Sequence, residues 1–313
     1  MSTNATVALL SQPNAGKSTL FNGLTGAKQH VGNWPGKTVE KKEGTFQHKG
    51  KSYSIIDLPG SYCLSANSNE EIVTRDYIAS RNADLVCILA DASQLERSLF
   101  MLADYAGITA PVILVLNMID VAKEQGKTID SKLLSERLGI PVVAMSAANL
   151  KEYDDFLDTL NTSVINPHVL NTEDLTRLYE EKIGEPFTAL CRLLPKAGIE
   201  GYSQAWLAVK LIENDAVIKA LVESIVDAET TVQIEKLLSA IPKGNLLTGE
   251  CKFKWIESVL DGAVKQEKQK AFVMSKFDRA ATSRRWGKWI ALGVILVGAD
   301  CINGNCPSSY RGD

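Results

Sequence analysis

The sequence predicts an α/β domain on a mostly parallel six-stranded sheet, followed by a small all-α domain. Three observations carry this. Short apolar runs alternate with helix-spaced segments through the first half. A loop ending in Gly16-Lys17-Ser18 joins the first run to the first helical segment. Strand signals then give way to helical spacing beyond about residue 166. A chain of 313 residues suits two domains better than one.

Residues 5–10 form a short apolar run bounded by turn residues, as in a buried parallel strand. A helix follows through Leu20, Phe21 and Leu24. Residues 39–48 and 52–57 read as strands joined at Lys49-Gly50, a hairpin that supplies one antiparallel strand. Residues 84–91, 111–117 and 140–146 complete the six, with a helix predicted over 93–107. Beyond Asn166-Pro167, three groups keep helical spacing: Leu175, Leu178 and Tyr179; Leu207, Leu211 and Ile212; and Val217, Leu221 and Ile225. Ile234, Leu237 and Leu238 continue it. The domains are therefore expected at 1–166, 167–275 and a C-terminal 276–313.

Hydrophobic content of 45% is enough for a sizeable core. A net charge of −3 implies no general affinity for nucleic acid. The six scattered cysteines do not make a secreted disulfide framework and suit a reducing cytosol. The polar N-terminus lacks the features of a signal peptide.

Ser11-Gln12-Pro13-Asn14-Ala15-Gly16-Lys17-Ser18 sits between a predicted strand and a predicted helix, the context a phosphate-binding loop requires. Its backbone amides would face phosphate oxygens beside a helix N-terminus. Lys17 is expected at the β- and γ-phosphates, and the Ser18 hydroxyl on Mg²⁺. Ser11 replaces the usual first glycine, and its side chain is expected near the β-phosphate, at a cost to affinity. Asp57-Leu58-Pro59-Gly60 ends a strand, so Asp57 can hold Mg²⁺ through water and Gly60 can offer its amide to the γ-phosphate. Thr38, in a Gly/Pro-rich loop, can complete the Mg²⁺ shell as a switch. Asn117-Met118-Ile119-Asp120 ends another strand; Asp120 can accept from guanine N1–H and the exocyclic amine, which adenine does not match. Ser146-Ala147-Ala148 would bring backbone amides to guanine O6. Together these predict a Ras-like P-loop GTPase domain, their strand-end placement matching ligand sites in open α/β sheets.

Ser61 and Tyr62 follow Gly60, so no glutamine is present to orient the attacking water. Arg75 and Arg97 are candidate charge stabilisers by charge alone, and exposed ion pairing is the plainer role for each. Slow intrinsic turnover is expected. A bound monovalent cation would supply the missing charge, with Asn14 as its side-chain ligand; the plainer reading of Asn14 is a turn residue after proline.

The run from Gln12 through Asn22, the stretch Val31-Gly32-Asn33-Trp34-Pro35-Gly36-Lys37-Thr38-Val39-Glu40, Asp57-Leu58-Pro59-Gly60-Ser61-Tyr62 and Asn117-Met118-Ile119-Asp120 resemble the cytosolic part of FeoB-type bacterial ferrous iron transporters. Gly-Asn-Trp-Pro-Gly is the specific element, and the resemblance covers about residues 5–290. It implies a helical domain likened to a GDP-dissociation inhibitor, potassium at Asn14, the switch threonine at Thr38, and a glycine where Ser11 stands. It also implies a membrane permease, in the same chain or a separate one, at the cytoplasmic face of the bacterial inner membrane. Small accessory iron-transport proteins and homo-oligomers are further partners it suggests.

The nucleotide set is thus Gln12, Asn14, Ala15, Gly16, Lys17, Ser18, Thr19, Gly36, Thr38, Asp57, Gly60, Asn117, Met118, Asp120, Ser146 and Ala147. Ser18, Thr38 and Asp57 are assigned to Mg²⁺ and Asn14 to K⁺; Asn14, Lys17, Thr38 and Gly60 are assigned to catalysis. The apolar run 289–299 is shorter than the roughly twenty residues of a membrane helix. Five basic residues against one acidic over 271–290 mark a cytosolic flank. The readings are a truncated or split transporter, an interfacial anchor, or a buried core helix. Cys301 and Cys306 are read as incidental rather than metal-binding.

Three functions compete: a GTPase module gating ferrous iron uptake, a soluble GTPase of ribosome or RNA assembly, and a non-catalytic nucleotide switch. Residues 167–270 carry 13 Lys+Arg against 16 Asp+Glu, unlike an appended RNA-binding domain.

Overall fold

Apolar residues fill both faces of β1 (Ala5–Ser11), which lies parallel to β4 (Lys51–Asp57) on one side and β5 (Leu85–Asp91) on the other. The computed structural model describes residues 5–26, 28–65 and 68–266, with Ser283 and Lys288. β6 (Val112–Asn117) and β8 (Val142–Ala144) extend the parallel set. β3 (Glu40–His48) runs antiparallel to β4 through a tight turn. Lys49 and Gly50 both have positive φ there, 47° and 76°, which suits the twist of a two-residue hairpin. The sheet has one strand more than the expected six. β2 (Gln29–Asn33) adds antiparallel to β3, giving the order β2-β3-β4-β1-β5-β6-β8.

Alternate residues of β1 feed different cores, because successive side chains point to opposite faces of a strand. Val7 and Leu9 pack with Phe21, Tyr53 and Phe156, under α1 (Lys17–Thr25) and α6 (Tyr153–Ile165). Ala8 and Leu10 belong to the other cluster, with Ile78 of α2 (Asn69–Ala79) and Leu99 and Leu102 of α3 (Leu95–Tyr105). α4 (Ile119–Glu124), β7 (Lys127–Ile129) and α5 (Ser131–Leu138) connect β6 to β8.

The later residues are helical as expected: α7 (Glu173–Ile183), α8 (Glu185–Leu193), α9 (Gln204–Ile212), α10 (Ala216–Glu223), α11 (Ala228–Ser239) and α12 (Gly244–Leu260). Their apolar residues join the second cluster, so Trp206, Leu207 and Trp255 share one core with Leu99 and Leu102. β9 (Val264–Gln266) then returns to pair antiparallel with β7. Arg137 of α5 donates to the carbonyls of Ser258 and Val259, at 3.1 and 2.8 Å. A cation at the C-terminal end of α12 meets carbonyls that have no partner within the helix.

One apolar stripe differs from its reading. In α10, Ile218 and Val222 are the buried residues, whereas Val217 is 37% and Ile225 49% exposed. The two stripes are adjacent on a 3.6-residue period. The Asp215 side chain caps α10 at the amides of Val217 and Ile218 and pairs with Arg75.

Among the described residues no helix is long and apolar enough to cross a membrane. The run 289–299, Cys301 and Cys306 lie outside the described residues, as does the basic flank at 271–290 apart from Ser283 and Lys288.

Candidate nucleotide site

β1 ends at Ser11 and α1 begins at Lys17, so residues 12–16 make the expected strand-loop-helix corner. Asn14 and Gly16 both take positive φ, 67° and 85°. Gly16 is required on two counts. Its conformation disfavours any side chain, and an added Cβ would lie 2.1 Å from Asn117 Nδ2. Ser11 is buried at the end of its strand, and its hydroxyl donates back to the Gln12 carbonyl at 2.8 Å. The Gln12 amide donates to the Arg97 carbonyl at 3.1 Å, tying the loop to α3. Asn14, Ser18 and Thr19 are exposed on the rim of the loop and the first turn of α1.

Lys17 bonds the Asp57 carboxylate and the Leu58 carbonyl. The loop lysine and the acid at the end of β4 therefore face the same space, as the sequence required. The Ser61 amide donates to the Ser11 carbonyl at 3.3 Å, which brings Gly60 against Pro13 of the loop. The Ser61 hydroxyl is buried with no hydrogen-bond partner among the described residues.

Asn117 links the loop after β1 to the loop after β8. Its Nδ2 donates to the Ala15 carbonyl and its Oδ1 accepts from the Ala147 amide, both at 2.8 Å. Met118 adopts a left-handed backbone with φ 60°, opening α4 and placing Asp120 in the first turn of that helix. Asp120 accepts from the Ser146 hydroxyl at 3.1 Å. The motif on β6 and the loop after β8 thus meet directly.

Two residues outside the sequence-derived set hold that loop. Glu152 accepts from the Ser146 amide at 2.7 Å, and the Tyr153 hydroxyl donates to the Ala147 carbonyl at 2.8 Å. Both follow the Ser-Ala-Ala motif at helix-start spacing, but no local pattern distinguishes them from an ordinary first turn.

Residues 34–39 form a closed lobe in which the Trp34 amide donates to the Val39 carbonyl at 2.9 Å. The Trp34 ring is buried edge-on against Tyr77 of α2, with centroids 5.0 Å apart. That contact explains the tryptophan: it pins a Gly/Pro-rich loop to the helix that follows Gly60. Gly36 and Thr38 stand exposed on this lobe. Ser18 is likewise exposed, on the first turn of α1, whereas Asp57 is buried at the end of β4.

Arg97 is exposed, with its guanidinium over the Tyr62 ring. Arg75 is not exposed as expected. It is fully buried on α2 and pairs with Asp215 at 2.7 Å. α2 is covered by the later helices, which the local sequence does not reveal.

A seven-stranded sheet with a strand-loop-lysine-helix corner, and Asp57 and Asn117 at the C-terminal ends of β4 and β6, defines the P-loop GTPase class of nucleotide-binding domains. The FeoB_N family model, ferrous iron transport protein B, matches residues 5–160. The Fe(2+) transporter FeoB of Methanocaldococcus jannaschii is 34% identical over 296 residues, covering 93% of this chain and 44% of the relative. That of Escherichia coli strain K12 is 35% identical over 219 residues, covering 69% of this chain and 28% of the relative. The chain therefore spans less than half the length of these two relatives.

Solved structures agree. A GDP-bound point mutant of the S. thermophilus FeoB G-domain is 32% identical with a TM-score of 0.72, covering 83% of this chain and all of that one. The GMPPNP form of the T. maritima FeoB cytosolic domain is also 32% identical, with a TM-score of 0.71 and coverage of 84% and 100%. The chain belongs to the FeoB family and carries its G domain.

Proposed function

We propose that this chain binds and hydrolyses GTP, and that its nucleotide cycle gates ferrous iron passage through a membrane permease at the cytoplasmic face of the bacterial inner membrane. The observation that carries the nucleotide reading is Asn117, whose two hydrogen bonds join the phosphate loop to the base-side loop. The iron reading rests on the relatives, which are Fe(2+) transporters.

In this reading Lys17 and the amides of residues 14–18 hold the β- and γ-phosphates, and Asp120 selects guanine. Ser18, Thr38 and Asp57 are hard oxygen donors of the kind Mg²⁺ takes, and the Lys17–Asp57 contact puts the carboxylate beside the phosphate site. Bound there, Mg²⁺ would neutralise charge developing on the phosphates. Thr38 joins the set by movement of the exposed part of the 34–39 lobe, which the Trp34–Tyr77 contact anchors to α2. Gly60 offers its amide to the γ-phosphate. Asn14, exposed at the loop tip in a left-handed conformation, presents its carboxamide oxygen to K⁺, which would supply the positive charge that no side chain provides. The helices from 167 to about 275 act as the GDI-like domain, and small accessory proteins and other copies of the chain remain partners in this scheme.

Family membership favours this reading over RNA assembly. The test is phosphate release from GTP and from ATP by the chain and by Lys17→Ala. GTP-selective release that the variant abolishes supports the proposal; equal release from both nucleotides, or release unaffected by the variant, refutes it.

A further inference from the structure

Four charges are buried together where the later helices meet α3. Asp104 Oδ1 accepts from Lys210 and from Lys252, each at 2.7 Å. Glu213 accepts from the same two lysines, at 2.9 and 2.6 Å, and from the Thr248 hydroxyl at 2.9 Å. The other Asp104 oxygen accepts from the backbone amide of Leu64 at 2.5 Å, and Lys210 also donates to the Ser65 hydroxyl at 3.2 Å. The Trp206 indole donates to the Asp104 carbonyl at 2.9 Å. The side chains of Asp104, Lys210 and Lys252 are at most 4% exposed.

Buried ion pairs are poor stabilisers, because desolvation offsets most of their attraction. What this cluster provides is a fixed position for Leu64 and Ser65. Those two residues end the segment 60–65. Its start is held at the phosphate loop by the Ser61 amide on the Ser11 carbonyl. The segment that carries Gly60 is therefore pinned at one end by the nucleotide loop and at the other by lysines of α9 and α12.

We propose that Lys210 and Lys252 are positioning residues for hydrolysis: acting through Asp104, they fix residues 60–65 so that Gly60 meets the γ-phosphate. This rests on the GTPase reading above. It makes the later helices part of the hydrolytic apparatus without any contact to nucleotide, and makes displacement of α9 or α12 a route to lower turnover.

The test uses the whole chain with Lys210→Met and Glu213→Gln together, which removes one charge of each sign and leaves Asp104–Lys252 paired. kcat for GTP should fall about tenfold. KM and GDP affinity should stay within about twofold, because the phosphate loop and the Asn117 bonds are untouched. Hydrogen exchange at the Leu64 amide should accelerate while exchange in residues 12–17 does not. A folded double variant with wild-type kcat and wild-type Leu64 exchange overturns the proposal, as does equal loss of protection at both places. Should the double variant fail to fold, Ser65→Ala keeps all four charges and removes only one Lys210 contact. A fall in kcat of about twofold with faster Leu64 exchange supports the proposal, and no change in either refutes it. If the unaltered chain turns over no GTP, the GTPase reading fails, and Leu64 exchange alone then decides whether the lysines hold the segment.

Discussion

The Asn117 side chain donates to the Ala15 carbonyl at 2.8 Å, joining two residues 102 positions apart. With its bond to the Ala147 amide, this makes one asparagine the tie between the loops assigned to phosphate and to base. Asn117 is therefore a scaffold that holds the two loops together.

Asn117→Ala leaves the Ala15 carbonyl and the Ala147 amide buried and unpaired, at about 1–3 kcal/mol each. Calorimetric titration should show GDP affinity down by at least about tenfold, together with a lower melting temperature. Unchanged affinity would mean that the tie does not shape the site. Gly16→Ala approaches the same relationship from the opposite side, since its Cβ would displace the Asn117 amide.

Asp120→Asn exchanges an acceptor for a group that can donate. Affinity for guanine nucleotide should fall by about two orders of magnitude or more, while xanthine nucleotide, with a carbonyl in place of the exocyclic amine, should gain. Competition binding with GDP and XDP measures both. A variant that keeps its preference for GDP would remove Asp120 from base recognition.

Arg75 and Asp215 form a second buried pair between α2 and the N-terminus of α10. Arg75→Met should cost about 3–5 kcal/mol, because it takes the cationic partner from a buried carboxylate. Adding Asp215→Asn, which keeps an α10 cap, should recover part of that loss. Denaturant titration of the three proteins measures it; equal costs for the single and double variants would contradict the pairing.

Burial opposes ionisation of Asp104 and Glu213, but the ammonium groups of Lys210 and Lys252 outweigh it and hold both carboxyls below their usual pKa. Groups with depressed folded-state pKa values stabilise above the unfolded value and lose that contribution as pH falls through the folded value. The unfolded values are about 4. Stability from the cluster should thus be complete at neutral pH and decline below about pH 4. Melting temperatures between pH 7 and pH 3 should fall less steeply for the Lys210→Met, Glu213→Gln variant. Identical slopes would show that the cluster carries no such linkage.

The central parallel strands β1, β5 and β6 were legible because they are almost wholly apolar and buried on both faces. The hairpin was legible through Lys49-Gly50. β2 was not, because an exposed strand, Gln-His-Val-Gly-Asn, has no alternation to read. α2 was not, because its buried face includes Thr74 and Arg75, which hydrophobic periodicity counts as outward. In the site, the motifs beginning at Ser11, Asp57, Asn117 and Ser146 lie at or just after strand ends, and Thr38 lies in a loop. Glu152, Tyr153 and the Asp104 cluster were hidden because their roles depend on contacts made through the fold.

The most direct test of the account is GTP turnover by this chain in potassium against sodium buffer, with Asn14→Ala as the paired variant. Slow hydrolysis in sodium, clear stimulation by potassium, and loss of that stimulation in the variant are expected. No turnover in either buffer by a protein that still binds GTP would contradict this expectation and leave only a nucleotide-dependent switch.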